Sequence, residues 1–264
     1  MRDRDLLAAR ATTRRVARTF ALACRLLPRD VRDDVYLLYL VFRALDDAVD
    51  NGERNAERRL AAVEAWAAGK PASSEEVRLL DVLAGRHPLP RAAFADFCAG
   101  MRDDLNGTPI VDDDDLDRYC YRVAGTVGVV MAHVLGMQDA ALALPAAAAL
   151  GQAMQRTNIL RDIDEDLADG RVYVPRLTLQ RCGGSLAPGE REAVLRDQIA
   201  RADQQYDTGC AGIALLMRGQ RAITAAAVMY REILRQIERE GYGARPGRAV
   251  VPRRRKLLVA AIGR

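Results

Sequence analysis

The sequence predicts an all-α protein, and three observations carry that prediction. Half of the 264 residues are hydrophobic but only 5% are aromatic. Alanine and leucine dominate the apolar set, whereas strands enrich aromatic and β-branched residues. Apolar side chains also recur at i, i+3 and i+4, the spacing of one helical face. With 29% charged residues the chain can bury a sizeable core and remain hydrated, which excludes a disordered or low-complexity protein. No repeat period and no long linker divides it, so one domain over residues 1–264 is the economical organisation.

The helices follow one another. Leu27-Pro28-Arg29-Asp30 is a start signal, and Val35, Leu38, Phe42, Leu45 and Val49 then mark an amphipathic helix over 31–49. Similar segments are predicted near 53–68, 75–86, 90–105, 113–136, 140–168, 188–214 and 217–241. Asp112 to Asp115 precede one of them, where carboxylates meet free backbone N–H groups; a cap is the simpler reading of that run than a metal site. Gly107-Thr108-Pro109, Cys182-Gly183-Gly184-Ser185 and Gly241-Tyr242-Gly243 punctuate the chain.

Several classes are excluded. Forty Lys and Arg against 36 Asp and Glu leave a net charge of +4, and no basic block is interleaved with aromatics, so nucleic acid is not a partner. Five cysteines without a Cys-x-x-Cys pair, beside only His87 and His133, do not make a zinc site; they read as small core residues in a reducing compartment. Residues 1–5 have mixed charge and no apolar run of a secretion signal. The weakly polar stretch Val123 to Met137 is shorter than the roughly 20 residues of a membrane span. A cytoplasmic protein is expected.

The acidic residues are the informative ones. Asp46 and Asp50 end a strongly apolar helix, and Asp162 and Asp166 repeat the device in Asn158-Ile-Leu-Arg-Asp162-Ile-Asp-Glu-Asp166. Positions i and i+4 share a face, so each pair can aim two carboxylates at one point. Oxygen ligands of this kind suit Mg2+, which completes its shell with water and phosphate oxygens. Arg43 and Arg161 stand beside the acids. They can hold a phosphate bidentately or simply pair with the neighbouring carboxylate. One Asp-x-x-x-Asp alone is usually a solvated face; two, each with an arginine and the second with an amide at Asn158, point to a magnesium–diphosphate site.

Several separated motifs together resemble the squalene/phytoene synthase family, the head-to-head prenyl diphosphate synthases, over nearly the whole chain. Arg18-Thr19-Phe20 is similar to the family's N-terminal basic motif, and Tyr39 through Asp50 to its first aspartate motif. Tyr119-Cys-Tyr-Arg-Val-Ala-Gly-Thr-Val-Gly128 resembles the central signature, and Gln155 through Asp166 with Gly170-Arg-Val-Tyr-Val-Pro175 the second aspartate motif and its flap. Tyr230-Arg-Glu-Ile-Leu234 and Arg255-Lys256-Leu257 also fit.

The resemblance implies a single-domain isoprenoid-synthase helical bundle around a central apolar cavity. It makes Asp46, Asp50, Asp162 and Asp166 ligands of two or three Mg2+ ions, with Glu165 in support. Arg18, Arg43, Gln155, Asn158, Arg161 and Arg248 become substrate-binding residues. Tyr39, Tyr119 and Tyr230 line the reaction centre, unless they are core tyrosines with satisfied hydroxyls. The small and aliphatic residues from Val123 to Leu135 suit a dry cavity wall, with Gly125 and Gly128 permitting close packing; ordinary core packing explains them as well.

The activity implied is condensation of two geranylgeranyl or farnesyl diphosphates through a cyclopropylcarbinyl diphosphate, to phytoene ahead of a squalene-type product. NADPH is required only for squalene. A cyclase or a prenyltransferase with another acceptor uses the same ionisation machinery, and a non-catalytic prenyl diphosphate binder is a further alternative. Ala17 departs from the family's usual serine, which removes one hydroxyl contact to diphosphate. Arg253 to Lys256 form a basic end that touches the inner membrane transiently, walls the phosphate side or is a solvated tail.

Overall fold

The computed structural model describes residues 6–7, 9–10 and 18–262. Ala17 lies outside them, as does the side chain of Arg18. Among the described residues every regular element is helical, and the one extended contact is an isolated antiparallel bridge between Met137 and Leu216.

A short α1 (Arg18–Cys24) leads into α2 (Arg29–Asp50), in which Val35, Leu38, Phe42, Leu45 and Val49 are all buried, as the 3.6-residue period requires. Three helices follow: α3 (Ala56–Ala67), α4 (Glu75–Ala84) and α5 (Arg91–Leu105). A cluster of Phe42, Trp66, Phe94 and Phe97 joins α2, α3 and α5, with ring centroids 4.7–5.4 Å apart. α6 (Asp113–Cys120) starts on a capping box. Asp112 accepts the Asp115 N–H at 2.9 Å, and the Asp115 carboxylate reaches back to the N–H of Val111 at 2.9 Å. The acidic run is therefore a cap.

The helix expected over 113–136 is interrupted. Tyr121–Gly125 form a π turn between α6 and α7 (Thr126–Leu135), and the Thr126 hydroxyl donates to the Arg122 carbonyl at 2.6 Å. The turn lies where backbones touch. A Cβ on Gly128 would overlap the carbonyl oxygen of Ala147, and one on Gly151 would overlap that of Ala124. Both glycines permit a contact that alanine could not.

The partner across this contact is α8 (Ala140–Ala168), capped by Asp139 at the Ala141 N–H. A short α9 (Arg176–Arg181), α10 (Glu192–Ala211), a 3-10 turn (Ile213–Leu215), α11 (Gln220–Arg239) and α12 (Arg253–Ile262) complete the order. α8 packs on α6, α7, α10 and α11, and so runs through the middle of the assembly. Its Arg156 is wholly buried; it bonds Asp117 at 2.5 Å, Gln205 at 3.3 Å and Gln198, tying α6 and α10 to α8. Of the five cysteines, Cys24, Cys98 and Cys120 are buried, and all five are free thiols. Among the described residues, no helix is long and apolar enough to cross a membrane.

Candidate active site

One cavity of about 990 Å3 gathers the candidate residues. The C-terminal half of α2 presents Tyr39, Arg43, Asp46 and Asp50 to it, spaced i, i+4, i+7 and i+11 on one face. α8 presents Gln155, Asn158, Arg161, Asp162, Glu165 and Asp166 to the same cavity. Tyr119 of α6, Tyr230 of α11 and Arg248 from the α11–α12 loop join them. Every candidate with a described side chain lies on this wall; Arg18 is the exception, its side chain being outside the described residues.

Much of the rest of the wall is apolar. Phe42, Met101, Val127, Met131, Leu216 and Ile223 line it, together with the close-packed Gly128 and Gly151. The Val123–Leu135 stretch thus contributes both cavity wall and core: Val123, Val127 and Met131 face the space, and Val130 and Val134 are fully buried.

Three of the four acids, Asp46, Asp50 and Asp162, are held by arginine. Arg43 bonds Asp46 at 2.7 Å and also Asp47. Arg161 grips Asp162 bidentately at 2.7 and 2.5 Å, while Arg248 reaches the same carboxylate at 2.8 Å. Arg171 reaches Asp50. Among the described residues no three acidic, His or Cys side chains are drawn together tightly enough to hold an ion unaided. The paired acids still feel each other. Burial first, and Asp50 second, push Asp46 up to about 7; burial and then Asp162 push Asp166 up to about 7.

Two polar atoms on the wall are buried and have no partner among the described residues: the Asn158 amide oxygen and the Arg43 Nε–H. One is an acceptor for a cation, the other a donor for an anion. Asn158 itself donates to Gln155 at 3.3 Å, which fixes the amide with its oxygen free.

Further residues enter the site: Asp104, which the sequence did not single out, and members of the flap motif and the basic end that it named only as segments. Asp104 at the end of α5 lines the cavity and accepts the hydroxyls of Tyr119 and Tyr173. Arg171 and Tyr173 come from the loop after α8. Lys256 lines the cavity from α12, and its neighbour Arg255 bonds buried Glu232 at 2.8 Å, so that part of the basic end faces the site. Asp164 sits between the proposed ligands yet turns away. It takes Arg191 at 2.7 and 2.8 Å and the Gly247 N–H at 2.6 Å, strapping the loop that carries Arg248 onto α8.

A family model described as "Squalene/phytoene synthase" matches residues 13–255. The chain belongs to that family. A 15-cis-phytoene synthase of Synechococcus elongatus is 35% identical over 94% of this chain and 88% of its own length. A phytoene synthase of Thermus thermophilus is 38% identical over 85% of this chain and 80% of its own. Among solved structures, a dehydrosqualene synthase in complex with a ligand superposes with a TM-score of 0.90 at 26% identity, covering 99% of this chain and 96% of that one. A squalene synthase from Alicyclobacillus acidocaldarius superposes with 0.79 at 27% identity, over 90% and 95%. The bundle is the helical fold of these synthases. The protein is a prenyltransferase that condenses prenyl diphosphates head to head, to phytoene or a squalene-type product.

Proposed function

We propose that the chain condenses two geranylgeranyl diphosphates to phytoene, with Mg2+ but without NADPH. The observation that carries this reading is the convergence of two acid-bearing helix faces, on α2 and α8, on one cavity with a substantial apolar wall. Along α8 that cavity extends from Ala143 to Asp166, about 34 Å at 1.5 Å per residue, which is longer than an extended C20 chain. The relatives at 35–38% identity named above are phytoene synthases, which favours that product over squalene.

The donor set fits magnesium. Asp46, Asp50, Asp162 and Asp166 offer hard oxygen ligands, and the unpartnered Asn158 oxygen adds a neutral one. When bound, the metal neutralises charge that builds on the departing diphosphate. Burial and the neighbouring acid together raise the carboxyl pKa values of Asp46 and Asp166, and a cation between the acids would relieve that repulsion. Arg43, Arg161 and Arg248, which bond the acids, would also hold phosphate oxygens, and the N-terminal motif adds Arg18 to that set. Lys256 completes the basic side. Tyr39, Tyr119 and Tyr230 face the developing allylic cation, and the aliphatic wall keeps water from it.

An amphiphilic substrate reaches such a mouth from a membrane surface. Exposed Val250 lines the opening and exposed Val172 lies between Arg171 and Tyr173, where a lipid face would meet it. We place the protein in the cytoplasm with transient contact to the inner membrane.

The test is product mass. Purified protein with Mg2+ and geranylgeranyl or farnesyl diphosphate, with and without NADPH, is expected to give a C40 hydrocarbon from the C20 substrate regardless of NADPH. A product containing a single prenyl chain overturns the reading in favour of a cyclase or another acceptor. Failure of either substrate to react leaves only binding.

A further inference from the structure

Where the charged mouth meets the apolar chamber, one carboxylate collects two phenols. Asp104 accepts the Tyr119 hydroxyl at 3.1 and 3.0 Å on its two oxygens, and the Tyr173 hydroxyl at 2.8 Å on Oδ1. The two rings stack with centroids 5.0 Å apart, and all three residues line the cavity.

A phenol oxygen carries one hydrogen and two lone pairs. With both hydrogens directed to the same acceptor, as the distances allow, lone pairs are what the two oxygens have left for each other and for the chamber. Burial keeps the two phenols above their usual range, which preserves them as donors, while Asp104, pushed up to about 6 by the same burial, is still mostly ionised at neutral pH. An acceptor-only partner is what fixes this orientation. An amide in its place offers one oxygen and one N–H group, and the N–H would bond a phenol oxygen and turn that phenol's hydrogen into the chamber.

We propose that Asp104 is a positioning residue that orders the Tyr119 and Tyr173 hydroxyls, so that paired phenol oxygens present electron density to the prenyl cation. The inference rests on the reading of this cavity as the seat of prenyl cation chemistry. It also gives the loop after α8 a part in the chemistry, because Tyr173 completes the pair only when that loop is in place.

The test uses the full chain with Mg2+ and geranylgeranyl diphosphate, comparing wild type, D104N and Y173F. For D104N the expected result is a kcat lower by about ten-fold, the size of a lost cation contact, with KM within about two-fold. The share of prenyl alcohols formed by water capture rises in parallel. Y173F moves both readouts in the same direction by less, and its single lost oxygen leaves folding intact even if D104N is impaired. Wild-type kcat and product ratios in both variants overturn the proposal. So does a raised KM and Mg2+ requirement at unchanged kcat, which would make Asp104 part of the diphosphate shell. If wild type itself gives only one-chain products, the condensation reading fails, yet the rate and water-captured fraction of D104N still decide the role of Asp104.

Discussion

Arg171 donates to Asp50 at 2.8 Å across 121 residues of sequence, which joins the loop after the second acidic motif to the last residue of the first acidic helix. Two residues further on, Tyr173 reaches Asp104. The loop is thus attached to α2 and α5 at the mouth of the cavity. Both members of the Arg171–Asp50 pair are about one-third exposed or more, so the pair itself contributes at most about 1 kcal/mol to stability. Its consequence is local. Arg171→Ala is expected to leave Tm nearly unchanged while raising KM for prenyl diphosphate about ten-fold, the cost of one charge-assisted contact. Steady-state kinetics beside a melting curve checks this, and a fall in Tm with unchanged KM would make the pair purely structural.

The metal assignment makes a harsher prediction. Asp46→Ala and Asp162→Ala each remove a carboxylate from one side of the mouth, and each is expected to lower turnover by at least about 100-fold. The fold survives Asp46→Ala, because Arg43 retains Asp47. Assays at saturating Mg2+ measure the effect; wild-type turnover in both variants would refute the assignment.

Stability should depend on pH in an unusual direction. Asp46 and Asp166 lie near 7 in the folded protein, against 3.8 for a free aspartate. Between those values the folded chain binds more protons than the unfolded one, so stability falls as pH rises towards 7 and the contribution is gone above it. Metal-free protein is therefore expected to melt at a higher temperature at pH 6 than at pH 8. The double variant Asp46→Asn, Asp166→Asn should flatten this slope, and Mg2+ should lift the pH 8 value. Calorimetry at the two pH values, with and without chelator, decides it; equal slopes in wild type and variant would contradict the cause.

Arg156 offers a test of the scaffold. Its guanidinium is 0% exposed, whereas its partner Asp117 reaches water. Asp117→Ala leaves a buried cation with only the two amide oxygens of Gln198 and Gln205, at a cost of about 3 kcal/mol. Arg156→Met removes the charge itself, and Gln198 and Gln205 keep Asp113 and Asp117 as acceptors at 2.8 and 2.9 Å. It should cost less than Asp117→Ala. Denaturant melts of the two variants give the order directly.

The parts of the molecule visible in the sequence are those written in one helix at a time. The burial of Val35 through Val49, the cap at Asp112 and the shared face of Asp46 with Asp50 all follow from spacing within a single element. Asp104 was hidden because its partners lie 15 and 69 residues away, and adjacent Asp103 and Asp104 look like ordinary helix surface. The same holds for Arg156, whose burial depends on α6 and α10 converging on it. The π turn at Tyr121–Gly125 leaves no mark on the apolar period, since it changes backbone register and not side-chain type. The short helices α1 and α9 span too few residues for a period to show. That the arginines beside Asp46 and Asp162 bond those acids is decided by electrostatics in the folded mouth, which spacing leaves open.

The close approach of the π turn to α8 yields the last prediction. At Gly151 an added methyl would overlap the Ala124 carbonyl and crowd its carbon, both rigid backbone atoms, so the two helices must move apart. Overpacking of this kind costs about 1–3 kcal/mol. Gly151 also lines the cavity, as do Ala124 and Gly128, so the same displacement reshapes the chamber wall. At Gly170, by contrast, nothing lies within 4 Å, and alanine meets only the strain of its φ of +74°. Gly151→Ala should therefore lower both Tm and the yield of two-chain product, whereas Gly170→Ala should lower Tm by less and leave the product ratio unchanged. Product analysis of the two variants separates a wall that shapes the chamber from a turn that merely needs glycine. Identical product ratios in both would show that the contact of the π turn with α8 serves packing alone.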